Sequence, residues 1–156
     1  KTISWDVLWL VAGGIALGLA MEQSGLATRL VGAIPFGGLP AYLILLLAAF
    51  FGLVMSNFMS NTGTANLLLP VVAALGTAGL NLSPIGGANG LVLGVTLAVS
   101  MSMCLPISSP PNALAHAAGG FETRHMARAG VVMGLVGLAG ALLLITLLKA
   151  FNFFSI

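Results

Sequence analysis

Apolar residues fill this chain in long runs, and the polar breaks between them are short. The first run, residues 5–21, reads WDVLWLVAGGIALGLAM. As a helix it is about long enough to cross a ~30 Å hydrocarbon core, which takes ~20 residues. It gives way to EQSGLATRLVGAIPFGG, where Glu22, Arg29 and a Pro/Gly turn read as a short amphipathic helix or loop near the headgroups. A second run covers 39–80 without one charge. A third, 86–120, is also uncharged and is split at 105–112 by LPISSPPN. The linker FETRHMAR follows at 121–128. The last run, 129–148, closes with Lys149 and the aromatic tail FNFF at 151–154, which suits a membrane interface or an ordinary helix end.

The second run is too long for one span. At ~1.5 Å per residue it would make a helix of about 60 Å, twice the hydrocarbon thickness. It must turn back, and a polar cluster lies near its middle: Ser56, Asn57, Ser60, Asn61, Thr62, Thr64 and Asn66, with no charge among them. Two arrangements fit. One is a pair of full spans joined by a surface loop. The other is a re-entrant hairpin whose tip stops inside the protein, where neutral oxygens serve without the cost of burying a charge.

The third run carries a related interruption. Pro106, Pro110 and Pro111 remove backbone donors and push the preceding residues toward extended backbone. The helix is predicted to break over 106–111 and restart at Asn112, or with Pro111 in its first turn. Unwound backbone at membrane depth needs protein or a water-filled cavity around it. Its freed carbonyls are good ligands for a hard cation, and the new helix start favours an anion. Broken helices meeting near the midplane are how secondary transporters hold a small ion and an anionic solute. Pro-kinked helices glued by Ser and Asn remain the structural alternative.

The pattern therefore predicts an all-α integral membrane fold in four pieces. These are a transmembrane helix and interfacial connector over 1–38, and a re-entrant hairpin over 39–82 with its tip near 60–64. A broken transmembrane helix follows over 83–120, then a cytoplasmic linker and last transmembrane helix over 121–156.

Composition agrees. The chain is 59% hydrophobic and 5% charged, where a soluble domain has about a quarter of its residues charged. Most of its surface must meet the lipid bilayer or other protein. The five Lys/Arg residues form no patch, so no nucleic-acid partner is expected. Cys104 is the single cysteine, which excludes an intrachain disulfide and a multi-cysteine metal site. The opening KTISWDVLWL has no Met and no cleavage pattern. It reads as an internal fragment of a longer membrane protein, or a subunit whose other part is missing, with a complete small membrane protein trimmed at its start as the alternative. Orientation is signalled weakly, by a margin of one: Arg124 and Arg128 on the cytoplasmic side, with Lys1 if the first run crosses outward, against Arg29 and Lys149 outside.

SNTGTANLLLP and LPISSPPNALAHA resemble the second signature pair of the divalent anion/sodium symporter family. WDVLWLVAGGIALGLAMEQSGLA resembles the helix ahead of that family's hairpin. The resemblance covers essentially the whole chain, but only the C-terminal of two inverted repeats. It implies one half of an inverted-repeat elevator transporter that carries di- or tricarboxylates or sulfate with Na+. It implies a substrate set of Ser60, Asn61, Thr62 and Ser109. It also implies a sodium set of Ser56, Met59 (by its carbonyl), Asn61, and the carbonyls of Ser108 and Pro110. The family often has Thr at the Ser109 position, which keeps the hydroxyl and leaves anion preference open. The Ser-Asn-Thr form leans toward C4-dicarboxylates such as succinate. The N-terminal half of the same transporter is an implied partner, as is a second copy in a homodimer. The expected location is a cell membrane of the bacterial inner-membrane type, with several passes.

Other residues read more plainly. His116 is expected to pack against backbone, His125 to be solvated, Cys104 to act as a small buried hydrophobe, and Asn89 to cap a helix. Asp6 and Glu22 read as interfacial charges, and the glycines at 13, 14 and 18 as helix-packing positions. Asn66 and Thr64 either line the hairpin or bond to helix carbonyls. An enzyme is not expected: a Ser60–His116 dyad would lack a charged orienter, and no carboxylate pair exists. A channel finds no support in the pattern. A sodium-independent exchanger, a sulfate transporter and a non-catalytic membrane assembly subunit stay as alternatives.

Overall fold

The computed structural model describes residues 38–119 and 122–154, together with 9, 12, 13, 16, 20, 23–26 and 29. The helix and connector expected over 1–38, with Asp6 and Glu22, therefore lie almost wholly outside the described residues. Every regular element among the described residues from 38 onward is helical. These are α1 (Ala41–Phe58), α2 (Asn61–Thr77), α3 (Gly87–Ser100), α4 (Pro110–Ala117) and α5 (Thr123–Ala150), with 3-10 turns at Ser83–Ile85 and Pro106–Ser108.

On α1 the buried positions are Ala41, Ile44, Leu45, Ala49, Gly52, Leu53, Ser56 and Asn57. Steps of three and four place them on one stripe, which packs against α3. The stripe is apolar at first and ends in two polar residues. The chain then reverses through Met59 and Ser60, both extended, and α2 returns along α3.

The central helix is α3, packed against α1, α2 and α5. Leu91, Val95, Ala98 and Val99 are at most 1% exposed, as are Leu45 of α1 and Ile145 of α5. Between helices in lipid, burying a Leu gains little transfer free energy, so close packing carries the association. Gly94 shows how close: a Cβ there would lie 2.6 Å from a Leu45 methyl.

Among the described residues, α1 and α5 are long and apolar enough to cross a membrane. At 14 residues, α3 reaches only about 21 Å, short of the ~30 Å core. Its continuation, α4, lies beyond a break. The outward sides of α1 and α5 are greasy: Phe50, Phe51, Phe58, Val132, Val136 and Leu143 are exposed.

The break starts earlier than its prolines. Regular helix stops at Ser100, and two local causes add to proline's. The amide of Cys104, which in a continuing helix would bond to the Ser100 carbonyl, donates instead to Asn57 Oδ1 at 2.8 Å. Leu105, ahead of Pro106, is extended (φ −125°, ψ 152°), as a pre-proline residue must be. The helix restarts at Pro110, with Pro110 and Pro111 in its first turn, where missing donors cost nothing.

Candidate functional site

The polar end of α1, the start of α2 and the C-terminal end of α3 meet at one place. Ser56 is fully buried. Its Oγ lies 2.8 Å from Asn61 Oδ1, 3.0 Å from the Val99 carbonyl and 2.8 Å from Ser102 Oγ. Ser102, 1% exposed, brings its own Oγ to 2.5 Å from Asn61 Oδ1. Asn61 Nδ2 reaches the Ser100 carbonyl at 3.4 Å. That carbonyl is available because Cys104 gave its amide to Asn57.

Each hydroxyl carries one proton. The four close oxygen–oxygen approaches therefore share two protons, and the other two set lone pair against lone pair. Ser56 can donate to the Val99 carbonyl and still turn lone pairs toward Asn61 and Ser102. Such a cluster favours a small hard cation, which oxygen ligands suit. No group of His, Cys, Asp or Glu able to hold a metal occurs among the described residues, so the donors here are neutral.

The start of α2 adjoins this cluster. Ser60 is its N-cap, accepting the Gly63 amide at 3.0 Å on Oγ. The amides of Asn61 and Thr62, the first two of the helix, precede the intrahelical ladder. Ser60 and Thr62 are exposed. Exposed hydroxyls beside a helix N-terminus of 17 residues present donors and a positive dipole end, which is what a carboxylate or sulfate needs.

The structure thus joins Ser56 to Asn61 and sets Ser60 and Thr62 beside them. Met59 is half-buried in the reversal itself. Ser108, Ser109 and Pro110 sit at the far end of the break, and no hydrogen bond ties them to the tip among the described residues. Ser108, fully buried, donates to the Leu105 carbonyl at 2.8 Å and accepts Asn112 Nδ2 at 2.7 Å. Ser109 is half-buried and Pro110 exposed.

Sequence reasoning missed Ser102 and the Val99 and Ser100 carbonyls, and it placed Asn57 in the polar cluster without giving it a role. The signal was present in SMSMCLP, residues 100–106, where two serines precede the first proline. Of the residues read more plainly, His116 keeps a buried Nδ1 without a partner rather than a backbone bond. Thr64 is buried with Oγ1 unpartnered, and Asn66 has a buried, unpartnered Nδ2. The cap of α3 is Gly86 and not Asn89. Cys104 is half-buried, on a groove of about 400 Å³ whose other walls include Phe50, Leu53, Val131 and Leu135. That groove is apolar and offers an anion nothing.

The family model described as "Sodium:sulfate symporter transmembrane region" matches residues 1–151. Solute carrier family 13 member 1 of Homo sapiens is 33% identical over 140 residues, covering 89% of this chain and 23% of that protein. The Na(+)/dicarboxylate cotransporter 3 of Homo sapiens is 33% identical over 138 residues, covering 88% and 22%. Solute carrier family 13 member 2 of Oryctolagus cuniculus is 34% identical over 142 residues, covering 88% and 22%. The chain therefore spans between a fifth and a quarter of the length of these relatives. A match over nearly the whole chain shows that it belongs to the sodium:sulfate symporter family.

Proposed function

We propose that this chain is the second ion- and anion-binding half of a sodium-coupled carrier for di- or tricarboxylates, with succinate-like anions as the leading substrates. The observation that carries the reading is the buried oxygen cluster of Ser56, Asn61 and Ser102 against an unwound helix end. Sodium is coordinated there by Ser56 and Asn61, with the carbonyls of Met59, Ser108 and Pro110 completing the family's set as the break closes on the tip. A carboxylate meets Ser60, Asn61, Thr62 and Ser109. Asn61 serves both, its oxygen toward the cation and its amide toward the anion.

Coupling follows from electrostatics. A cation and a carboxylate about 6 Å apart attract by about 3 kcal/mol at an effective dielectric of ~20, against about 0.7 kcal/mol in water. The anion is held weakly until the cation has arrived. The hairpin of α1 and α2 and the broken pair α3–α4 travel together as a re-entrant unit in an elevator motion against a scaffold. The N-terminal half supplies the other sodium site and the rest of the anion pocket, and the carrier works as a homodimer.

The test is radiolabelled succinate uptake into proteoliposomes holding the full parent protein, with an inward sodium gradient against a potassium control. Sodium-dependent uptake that Asn61→Ala abolishes is the expected result. Uptake indifferent to sodium but driven by internal dicarboxylate would make it an exchanger. Uptake of sulfate in place of succinate would move the substrate to the anion in the family's name. A folded protein carrying none of succinate, citrate or sulfate would sink the reading.

A further inference from the structure

We infer that Ser102 is a sodium ligand, recruited from the first unwound turn after α3, and that the Val99 carbonyl serves as its brace. The inference rests on the sodium reading above and adds a residue outside the set which the family resemblance carries.

Ser102 is held more tightly in the cluster than any residue of the Ser108–Pro110 stretch. It is 1% exposed, and its Oγ approaches both Ser56 Oγ and Asn61 Oδ1 within 2.8 Å. It is the donor whose oxygen touches both side-chain ligands at once. A pure packing role would leave it paired with one carbonyl, as Ser100 is with Thr96, Thr96 with Val92, and Thr146 with Leu142, all through Oγ. Those hydroxyls bond back to their own helix, the usual resting place of Ser and Thr in apolar helices. Ser102 has left its helix and does not. Its neighbours are three acceptors' worth of lone pairs: the Asn61 carboxamide oxygen, the Ser56 hydroxyl and, through Ser56, the Val99 carbonyl. With two protons for four close approaches, the cluster lacks positive charge.

The placement has a mechanical consequence. Ser102 and Asn57's partner Cys104 lie two residues apart on the same unwound segment. A cation bound by Ser56, Asn61 and Ser102 ties the hairpin tip to that segment and makes α1, α2 and α3 one body.

Hydrogen exchange of the detergent-purified full parent protein, titrated with NaCl at constant ionic strength in choline chloride, reads this site locally. The peptides to follow cover 55–64 and 99–105. In the wild type both become protected as sodium rises. Ser102→Ala is expected to displace that protection to at least about tenfold higher sodium, the scale of losing a group that orients or ligates a metal. Ser102→Cys keeps the volume but offers a soft, weakly bonding sulfur, and is expected to lose protection likewise. Ser102→Thr keeps the oxygen and the wild-type midpoint. Unchanged midpoints in Ser102→Ala or Ser102→Cys would overturn the inference and leave the sodium reading standing. A wild type whose tip gains no protection from sodium would overturn both. The thermal midpoints in choline alone show whether each variant folds; should Ser102→Ala fail there, the Ser102→Cys result decides.

Discussion

The side-chain oxygen of Asn57 accepts the backbone amide of Cys104 at 2.8 Å, across 47 residues of sequence. The other end of the same carboxamide donates to the Leu53 carbonyl at 2.8 Å, which fixes its rotamer. One buried side chain therefore pins the unwound segment to α1, one residue from the Ser56 cluster. Replacing Asn57 with Ala strands the Cys104 amide. A buried group left without its partner costs about 1–3 kcal/mol, and the thermal midpoint of the parent protein should fall accordingly. Exchange at the Cys104 amide should accelerate, while Leu53, which remains in its helix, should not respond. Equal exchange at Cys104 in both proteins would show that the bond does not hold the break.

Ser60 has two duties that a single pair of substitutions separates. As N-cap of α2 it satisfies the Gly63 amide, and in the proposed site it faces the anion. Ser60→Ala should cost about 1 kcal/mol through the lost cap and weaken anion uptake. Ser60→Asp caps as well as serine and complements the helix dipole, so stability should be kept or raised. Its charge occupies the place intended for the carboxylate, and uptake should vanish. A stable, transporting Ser60→Asp protein would show that the anion binds elsewhere.

Much of this arrangement could be read from the sequence. That the chain turns back was legible because an uncharged run of 42 residues, 39–80, cannot be one helix, and because polar residues crowd its middle; the pattern puts the tip near 60–64, whereas the reversal is Met59–Ser60 and Asn61 already opens the next helix. A restart with proline in its first turn was legible, but the pattern puts it at Pro111 or Asn112, and the helix already begins at Pro110. The start of the break was not legible. It depends on Asn57 taking the Cys104 amide, and a carboxamide's choice of partner is a tertiary fact invisible in a linear pattern. For the same reason Ser102 stayed hidden: two serines near a helix end usually bond to their own helix, and Ser100 does.

Ser108 offers a test of which part of a residue matters. Its hydroxyl bridges the Leu105 carbonyl and Asn112 Nδ2, so the side chain braces the break, while the proposed sodium contact uses its carbonyl. Ser108→Ala removes the Asn112–Ser108 bond and leaves Asn112 Nδ2 its long 3.5 Å bond to the Leu105 carbonyl, so it should destabilise the parent protein by about 0.5–1.5 kcal/mol. Once folded, it should retain sodium-dependent uptake with little change in the sodium concentration for half-maximal rate. A large rise in that concentration, with stability intact, would show that the hydroxyl itself binds the ion.

Gly130 marks where α5 supports the break from behind. A Cβ at this position would lie 2.5 Å from Cys104 Cα, 2.6 Å from its amide nitrogen and 2.6 Å from the Met103 carbonyl carbon. All three are backbone atoms, which cannot swing aside as a flexible side chain would. Gly130→Ala must therefore push the unwound segment away from α5 or separate the helices, and overpacking of this kind costs about 1–3 kcal/mol. Gly140, on the same helix, has open space around its Cβ position, and Gly140→Ala should be neutral or mildly stabilising, since Ala is the better helix former. If the segment moves, the Cys104 amide leaves Asn57 and Ser102 leaves the tip. Gly130→Ala should then weaken sodium protection of the tip peptide, although Gly130 is not one of the proposed ligands. Identical thermal midpoints and identical sodium protection in the two variants would mean that α5 is only a neighbour of the break and gives it no support.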